Sequence, residues 1–488
     1  MGRHHRTNDA AQAPETSQAV PPTPARPDRS ATTPTEPHLP PEQPQPAPQQ
    51  RASQAPPAPE QRAPQRGVEK QRQPRAKARA RFGKEGSSFT PYQWVLTVFL
   101  ILAAIATSIG LFTLWPSSAA PKVAPEFATS SPLPQNQVNG EVIERSPGPC
   151  NSPSVGRVFD TSPEEPLNQQ GPECDQAIVQ IQNGANQGKR TMLMLSHQPG
   201  DPDLKVGDKI RISEQNAANG GSGYAFTDYQ RKTSIGFWVL LTAAAIVIIG
   251  GWRGARSLVG LGITMAAVVV FLIPALLHGG PPLLLAVVCG SAILFLVLYL
   301  VHGVSWKTAS ALGGTIIALC LSAVLARWAI DGSQLRGLGN EDNLLAQLYL
   351  PDVSVRGRML CGFIIGALGV LNDVTIAQAS TVNELAEIEP DAGPWRLFRG
   401  AMKVGRDHIA SMVYTLVLSY TGAALPLLLL ISVAQRPFAE VLTSDVMATE
   451  LLRSATGALA LALAVPITTA IACVTVIDPR RRRVTAGS

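Results

Sequence analysis

The sequence predicts an all-α polytopic membrane protein of about eight transmembrane helices, with a small extracytoplasmic β-rich domain and a disordered amino-terminal tail. Three observations predict it. The 488 residues are 45% hydrophobic and only 16% charged, and long runs of Leu, Ala, Val and Ile fill the second half. Eight apolar segments each approach the roughly 20 residues that an α-helix needs to cross hydrocarbon. Of the 41 prolines, 17 lie in the first 80 residues, a stretch without Phe, Trp, Tyr or Ile.

Residues 1–88, rich in Pro, Gln, Ala and Arg, bury too little apolar surface to fold. Their last third carries Arg62, Arg66, Lys70, Arg72, Arg75, Lys77, Arg79, Arg81 and Lys84. This basic run at 62–84 orients the first span and offers a partner to anionic lipid head groups. The pI near 9.1 raises the question of nucleic acid. No phosphate-cradling or RNA-binding motif accompanies the charge, so no nucleic-acid partner is expected. Residues 89–115 are a signal-anchor helix, with Tyr92, Trp94 and Trp115 as interfacial anchors. A cleaved signal peptide has neither so long a charged region nor so long an apolar run.

Residues 116–232 are turn-rich and hold short runs of β character: Val138–Ile143, Ala177–Ile181, Met192–Ser196 and Asp203–Ile212, the last with a turn at Val206-Gly-Asp. They predict a small β-barrel or sandwich. Cys150 and Cys174 share this extracytoplasmic region and are expected to form a disulfide, whereas Cys289, Cys320, Cys361 and Cys473 lie in apolar spans as small hydrophobes. The acids Asp160, Glu164, Glu165, Glu173 and Asp175 read as a solvated loop rather than a cation site.

Residues 233–477 supply seven further spans: Ile235–Ile249, Leu258–Leu277, Leu283–Val301, Ala309–Leu325, Met359–Ala379, Ile409–Val433 and Leu451–Val476. A basic tail, 478–488, follows. Arg253, Arg256, Lys307, Arg396, Arg399, Lys403, Arg406 and Arg480 to Arg483 then fall inside, which places both termini in the cytoplasm. One outer loop resists the rule, since it carries Arg327, Arg336, Arg356 and Arg358. Within it Asn343–Leu350 reads as a short amphipathic surface helix.

The candidate site lies in Met359–Glu389. At 100° per residue, Gly362, Gly366, Gly369, Asp373, Ser380 and Glu384 share one face, and the glycines there allow close helix packing. Asp373 falls deep within the hydrocarbon, where a carboxylate is costly unless paired, hydrated or protonated. Asn372, Gln378 and Ser380 stand beside it. Further spans add Tyr414, Thr415, Ser419, Tyr420 and Thr421, then Ser454, Thr456, Thr468 and Thr469 near Pro466. Arg406 with Asp407 opens the seventh span. The cysteine-pair, zinc-protease, nucleophile-elbow, P-loop and dinucleotide motifs are absent, so neither an enzyme nor a cofactor or metal is expected.

Gly250-Gly-Trp-Arg-Gly254, Leu300-Val-His-Gly303, Gly366-Ala-Leu-Gly-Val-Leu-Asn-Asp373, Gly405-Arg-Asp407 and Thr415-Leu-Val-Leu-Ser-Tyr-Thr-Gly422 together resemble the YibE/F-like family of bacterial multipass membrane proteins. The likeness covers about Val138 to Val476. It implies a bacterial plasma-membrane location and singles out Gly366, Gly369, Asp373, Glu384, Arg406, Asp407 and Tyr420. Such proteins tend to carry a denser run of Ser after the acid, where this chain has Ala377, Gln378 and Ala379.

The leading expectation is a transporter-like permease or permease subunit, with Asp373 as a proton- or cation-coupled group. The alternative is a non-transporting scaffold or accessory subunit acting through the extracytoplasmic domain. Transport predicts an internal cavity at Asp373, and a scaffold predicts a packed bundle. A protein partner or a homo-oligomer is left open, and the lipid bilayer is the one partner all readings share.

Overall fold

The first helix shows how local chemistry starts a span. Thr90 accepts from the Gln93 N–H while the Gln93 side chain returns to the Thr90 N–H, and Pro91 occupies the first helical position. Helix α1 (Pro91–Thr113) follows. The structure, a computed structural model, describes residues 89–127, 136–164, 172–195, 198–216, 222–339, 341–433 and 436–476. The expected disordered tail at 1–88, its basic run at 62–84, Glu165 and the tail at 478–488 lie outside the described residues.

Six strands follow: β1 (Gln137–Pro149), β2 (Val158–Phe159), β3 (Glu173–Ile181), β4 (Arg190–Leu195), β5 (Lys209–Asn216) and β6 (Ser222–Tyr229). They form one antiparallel sheet in the order β2-β4-β3-β1-β5-β6. Alternating residues Val138, Val142, Val179, Ile181, Ile210 and Ile212 fill its core. The segment at Gly156 stitches the two far sides together. Its N–H donates to Met192 O (2.8 Å), and its carbonyl accepts from Tyr224 N–H (2.6 Å). Gly156 adopts φ 72°, and a Cβ there would lie 3.0 Å from Tyr224 O, so glycine is required. Cys150 and Cys174 are disulfide-bonded, with Cα atoms 5.1 Å apart. The acids read as a solvated loop are dispersed: Asp160 faces Lys189 (3.8 Å), and Asp175 pairs with Arg145, which also holds Asp203 (2.9 Å).

The helical part comprises α2 (Lys232–Ala266), a π-helical turn (Ala267–Leu272), α3 (Ile273–Leu277), α4 (Pro282–His302), α5 (Trp306–Gly332), α6 (Glu341–Tyr349), α7 (Val355–Ile388), α8 (Pro394–Ala423), α9 (Leu425–Val433), α10 (Phe438–Thr443) and α11 (Asp445–Thr475). Among the described residues six helices are long and apolar enough to cross a membrane, or seven if the bent pair α8 and α9 is one span. Two differences from the expected eight have physical causes. First, the spans expected at 235–249 and 258–277 are two helical arms that meet without a loop at Gly251, whose φ of 56° and ψ of −141° only glycine adopts readily, so they count as one run among the six. Beyond this break Gly254 returns against the Ile246 carbonyl. Second, the span expected at 409–433 bends by 62° after Ala423. Pro426 lacks an N–H, and its ring conflicts with the carbonyl one turn earlier. The π turn precedes Pro274 for the same reason.

Helix α5 is the centre of the bundle. Small residues (Ala311, Gly314, Ala318, Ala323 and Ala326) let α4, α7 and α11 approach it, and Gly313 admits Leu96 of α1. Several contacts place the loops on the side where α1 ends. Lys122 pairs with Asp352 (3.2 Å), Ala124 N–H donates to Tyr349 O (3.0 Å), and His278 Nε2 faces Ala119 O (2.9 Å). The arginine-bearing loop that resists the charge rule is therefore on the β-domain side, and Arg327 is offset by Asp331 (3.4 Å). The expected surface helix is present as α6.

Candidate functional site

Helix α7 has the two faces its sequence defines, but their assignments are reversed. Ile364, Leu368 and Leu371 are buried against the bundle. Gly362, Gly366, Gly369, Asp373 and Glu384 are exposed, with Ser380 half-buried. Two of the three glycines do not pack this helix against another helix among the described residues. Positions 362 and 369 have nothing within 4 Å of where a Cβ would stand, and only the Tyr420 hydroxyl approaches Gly366. The close glycine contacts lie elsewhere, at Gly314 against Thr468 and at Gly405 against Val465 and Gln378. Among the described residues, Asp373 therefore stands on the exposed face of α7, away from the buried face that meets the bundle.

Behind that surface runs a buried polar seam between α5, α7 and α11. Ser310 and Thr475 hydroxyls meet at 2.6 Å, as do those of Thr315 and Thr375. Thr469 Oγ1 donates to Gln378 Oε1 (3.1 Å). Gln378 is fully buried and its Nε2 has no partner, nor do Thr468 Oγ1 and the shielded Asn372 Oδ1. Most of these hydroxyls also bond their own helix one turn back, so the seam joins three helices without breaking any. Pro466 lies inside α11, which runs through it as one span.

A third feature opens on the β-domain side. Gly337, Asn343, Tyr420, Leu427, Glu450 and Arg453 are among the residues lining a cavity of about 400 Å³. Arg453 Nη1 donates to both Glu450 carboxylate oxygens at 3.0 Å, and its guanidinium lies over the rings of Phe363 (5.3 Å) and Tyr420 (5.7 Å). Arg453 Nε has no partner. Tyr420 links this cavity to α7, because its hydroxyl covers Gly366. Seven residues separate Gly366 from Asp373, about 10 Å of helix.

The expected residues are thus distributed over three places. Gln378 belongs to the seam, Tyr420 to the cavity, and Asp373, Ser380 and Glu384 to the outer face of α7, with Asn372 half-buried beside Asp373. Arg406 and Asp407 are exposed within α8, which begins three turns earlier at Pro394, and neither forms an ion pair among the described residues. Arg453, Glu450, Thr315 and Thr375 were not anticipated. A charged pair three residues apart at the head of an apolar helix was the available signal for the first two. Among the described residues no group of three His, Cys, Asp or Glu is arranged to hold a metal.

Apolar helices of this length, number and mutual packing define an integral membrane protein. The family model described as YibE/F-like protein, the family that the sequence motifs resemble, matches residues 238–478. No curated protein and no solved structure matches it.

Proposed function

We propose that the protein is a permease or permease subunit that admits a small polar solute from the β-domain side, with Asp373 as its proton- or cation-coupled acid. One observation carries the reading: an ionisable group stands midway along a span, on a face whose glycines lead through Tyr420 to the Arg453–Glu450 cavity. A carboxylate facing lipid is costly, so the reading requires another polypeptide or a second copy to cover α7. In this proposal the Gly251 break is a reversal and α8 with α9 is one crossing, which gives eight. Residues 116–232 are then outside, and 1–88 and 478–488 are cytoplasmic.

The test uses proteoliposomes or cells with a measurable solute-dependent proton or sodium flux. Asp373→Asn keeps the size and removes the charge. Flux should fall to background at normal protein abundance. Full flux at normal abundance would remove the coupling role. It would favour the second reading, a scaffold acting through the β-domain, which is supported by the exposure of Asp373 on the outer face of α7.

A further inference from the structure

The end of the bundle remote from the β-domain carries a charge arrangement that the proposed transport does not use. Helix α2 leaves β6 at Lys232 and reaches its break at Gly251, so the break lies at the far end. Just beyond it stand Arg253 and Arg256. One turn further, Gly260 packs against Val297 and Val301 of α4, with Cβ-position distances of 3.0 and 3.6 Å. That contact seats Arg256 beside His302, the last residue of α4. Gly303, at φ 76°, then turns the chain, Ser305 caps α5 by accepting from Thr308 N–H, and Lys307 lies in the first turn. Arg253, Arg256 and Lys307 are all close enough to act electrostatically on His302.

This cluster has no internal compensation. The sequence has no Asp or Glu from position 229 to 330. Among the described residues none of the three cations forms an ion pair, and Arg256 Nε is shielded from solvent with no acceptor. Around the cluster are aromatic rings of the kind that settle at head-group depth. Trp252 is 75% exposed, and Phe89 bridges Trp94 and Trp306 at centroid distances of 5.9 and 5.4 Å. Unpaired guanidinium donors and an ammonium at that depth, with no acid nearby, match a phosphodiester.

We propose that Arg253, Arg256 and Lys307, gathered around His302 where α2 meets α4, form a binding site for the head group of an anionic phospholipid. The site is distinct from the basic run at 62–84, and the occupant is a lipid of the bilayer rather than a free anion.

Native mass spectrometry of the full-length protein in detergent tests this with phosphatidylglycerol, phosphatidylcholine and inorganic phosphate as separate probes. Phosphatidylglycerol should bind at least about tenfold more tightly than phosphatidylcholine, and inorganic phosphate should not displace it. Arg256→Gln, and separately the pair Arg253→Gln with Lys307→Gln, should each remove most of that preference, while Arg256→Lys keeps much of it. Should Arg256→Gln fail to fold, the pair decides. Glutamine at Arg72, Arg75, Lys77 and Arg79 should leave the preference in place. Equal binding of the two lipids, undiminished preference in the pair variant, displacement by phosphate, or loss on neutralising the tail would each overturn the proposal.

Discussion

The contact between Gly314 on α5 and Thr468 on α11 allows a quantitative test of the bundle. A Cβ at position 314 would overlap the Thr468 hydroxyl and stand 2.8 Å from its Cβ and 3.0 Å from its Cα. Rotating Thr468 relieves the first overlap but not the last, because the Cα belongs to the backbone. Overpacking costs about 1–3 kcal/mol, and a backbone wall places Gly314→Ala near the upper figure. Alanine recovers about 1 kcal/mol of helix propensity over glycine. The net expectation is a loss of about 2 kcal/mol. Thr468→Gly removes the opposing Cβ, so the double variant should recover about 1–2 kcal/mol relative to additivity. Thermal unfolding in detergent can be followed with a thiol-reactive dye, since Cys289, Cys361 and Cys473 are buried until the bundle opens. Unchanged stability in Gly314→Ala, or strict additivity with Thr468→Gly, would refute this packing.

Two further outcomes are expected. His278 has Pro274 O at 2.7 Å and Ala119 O at 2.9 Å on its two ring nitrogens, and these acceptors raise its pKa above the ordinary value. Its contribution is therefore fully present below the ordinary histidine pKa near 6.5 and is lost as pH rises through the raised value. The stability difference between the wild type and His278→Phe should shrink from pH 5.5 to pH 8.5, and a difference that grows with pH contradicts the pairing. Reporter fusions after Ser88 and Thr485 should read cytoplasmic and one after Gly220 external; an external signal at Thr485 would remove one crossing from the proposed eight.

Much of the architecture was legible because hydrophobic periodicity is a local signal. The spans at α4, α5 and α11, the β-rich segment and the Cys150–Cys174 bridge could all be read from composition and compartment. Strand β6 was not foreseen, although Tyr224 and Phe226 alternate in it, because the Gly-rich stretch just before it obscures its start. The two faces of α7 were equally legible, but not which of them meets the bundle. That depends on where α5 and α11 sit, and a glycine stripe reads the same whether a neighbour covers it or not. The polar seam escaped for a related reason: Thr315 and Thr375 are each ordinary helical hydroxyls until two helices bring them together.

The junction of β6 with α2 has a mechanical consequence. Only Gln230 and Arg231 separate strand from helix, and neither is slack. Gln230 N–H donates to Lys209 O (2.8 Å), its side chain donates to Ile210 O (2.9 Å), and Arg231 grips Asp228, holding that carboxyl below its usual pKa. A load that tilts the β-domain is delivered directly to the first arm of α2, with no tether to absorb it. That arm ends at Gly251, the one point along α2 where the backbone leaves helical geometry. The pair forms a lever with its handle in the β-domain and its pivot at the remote end of the first arm of α2.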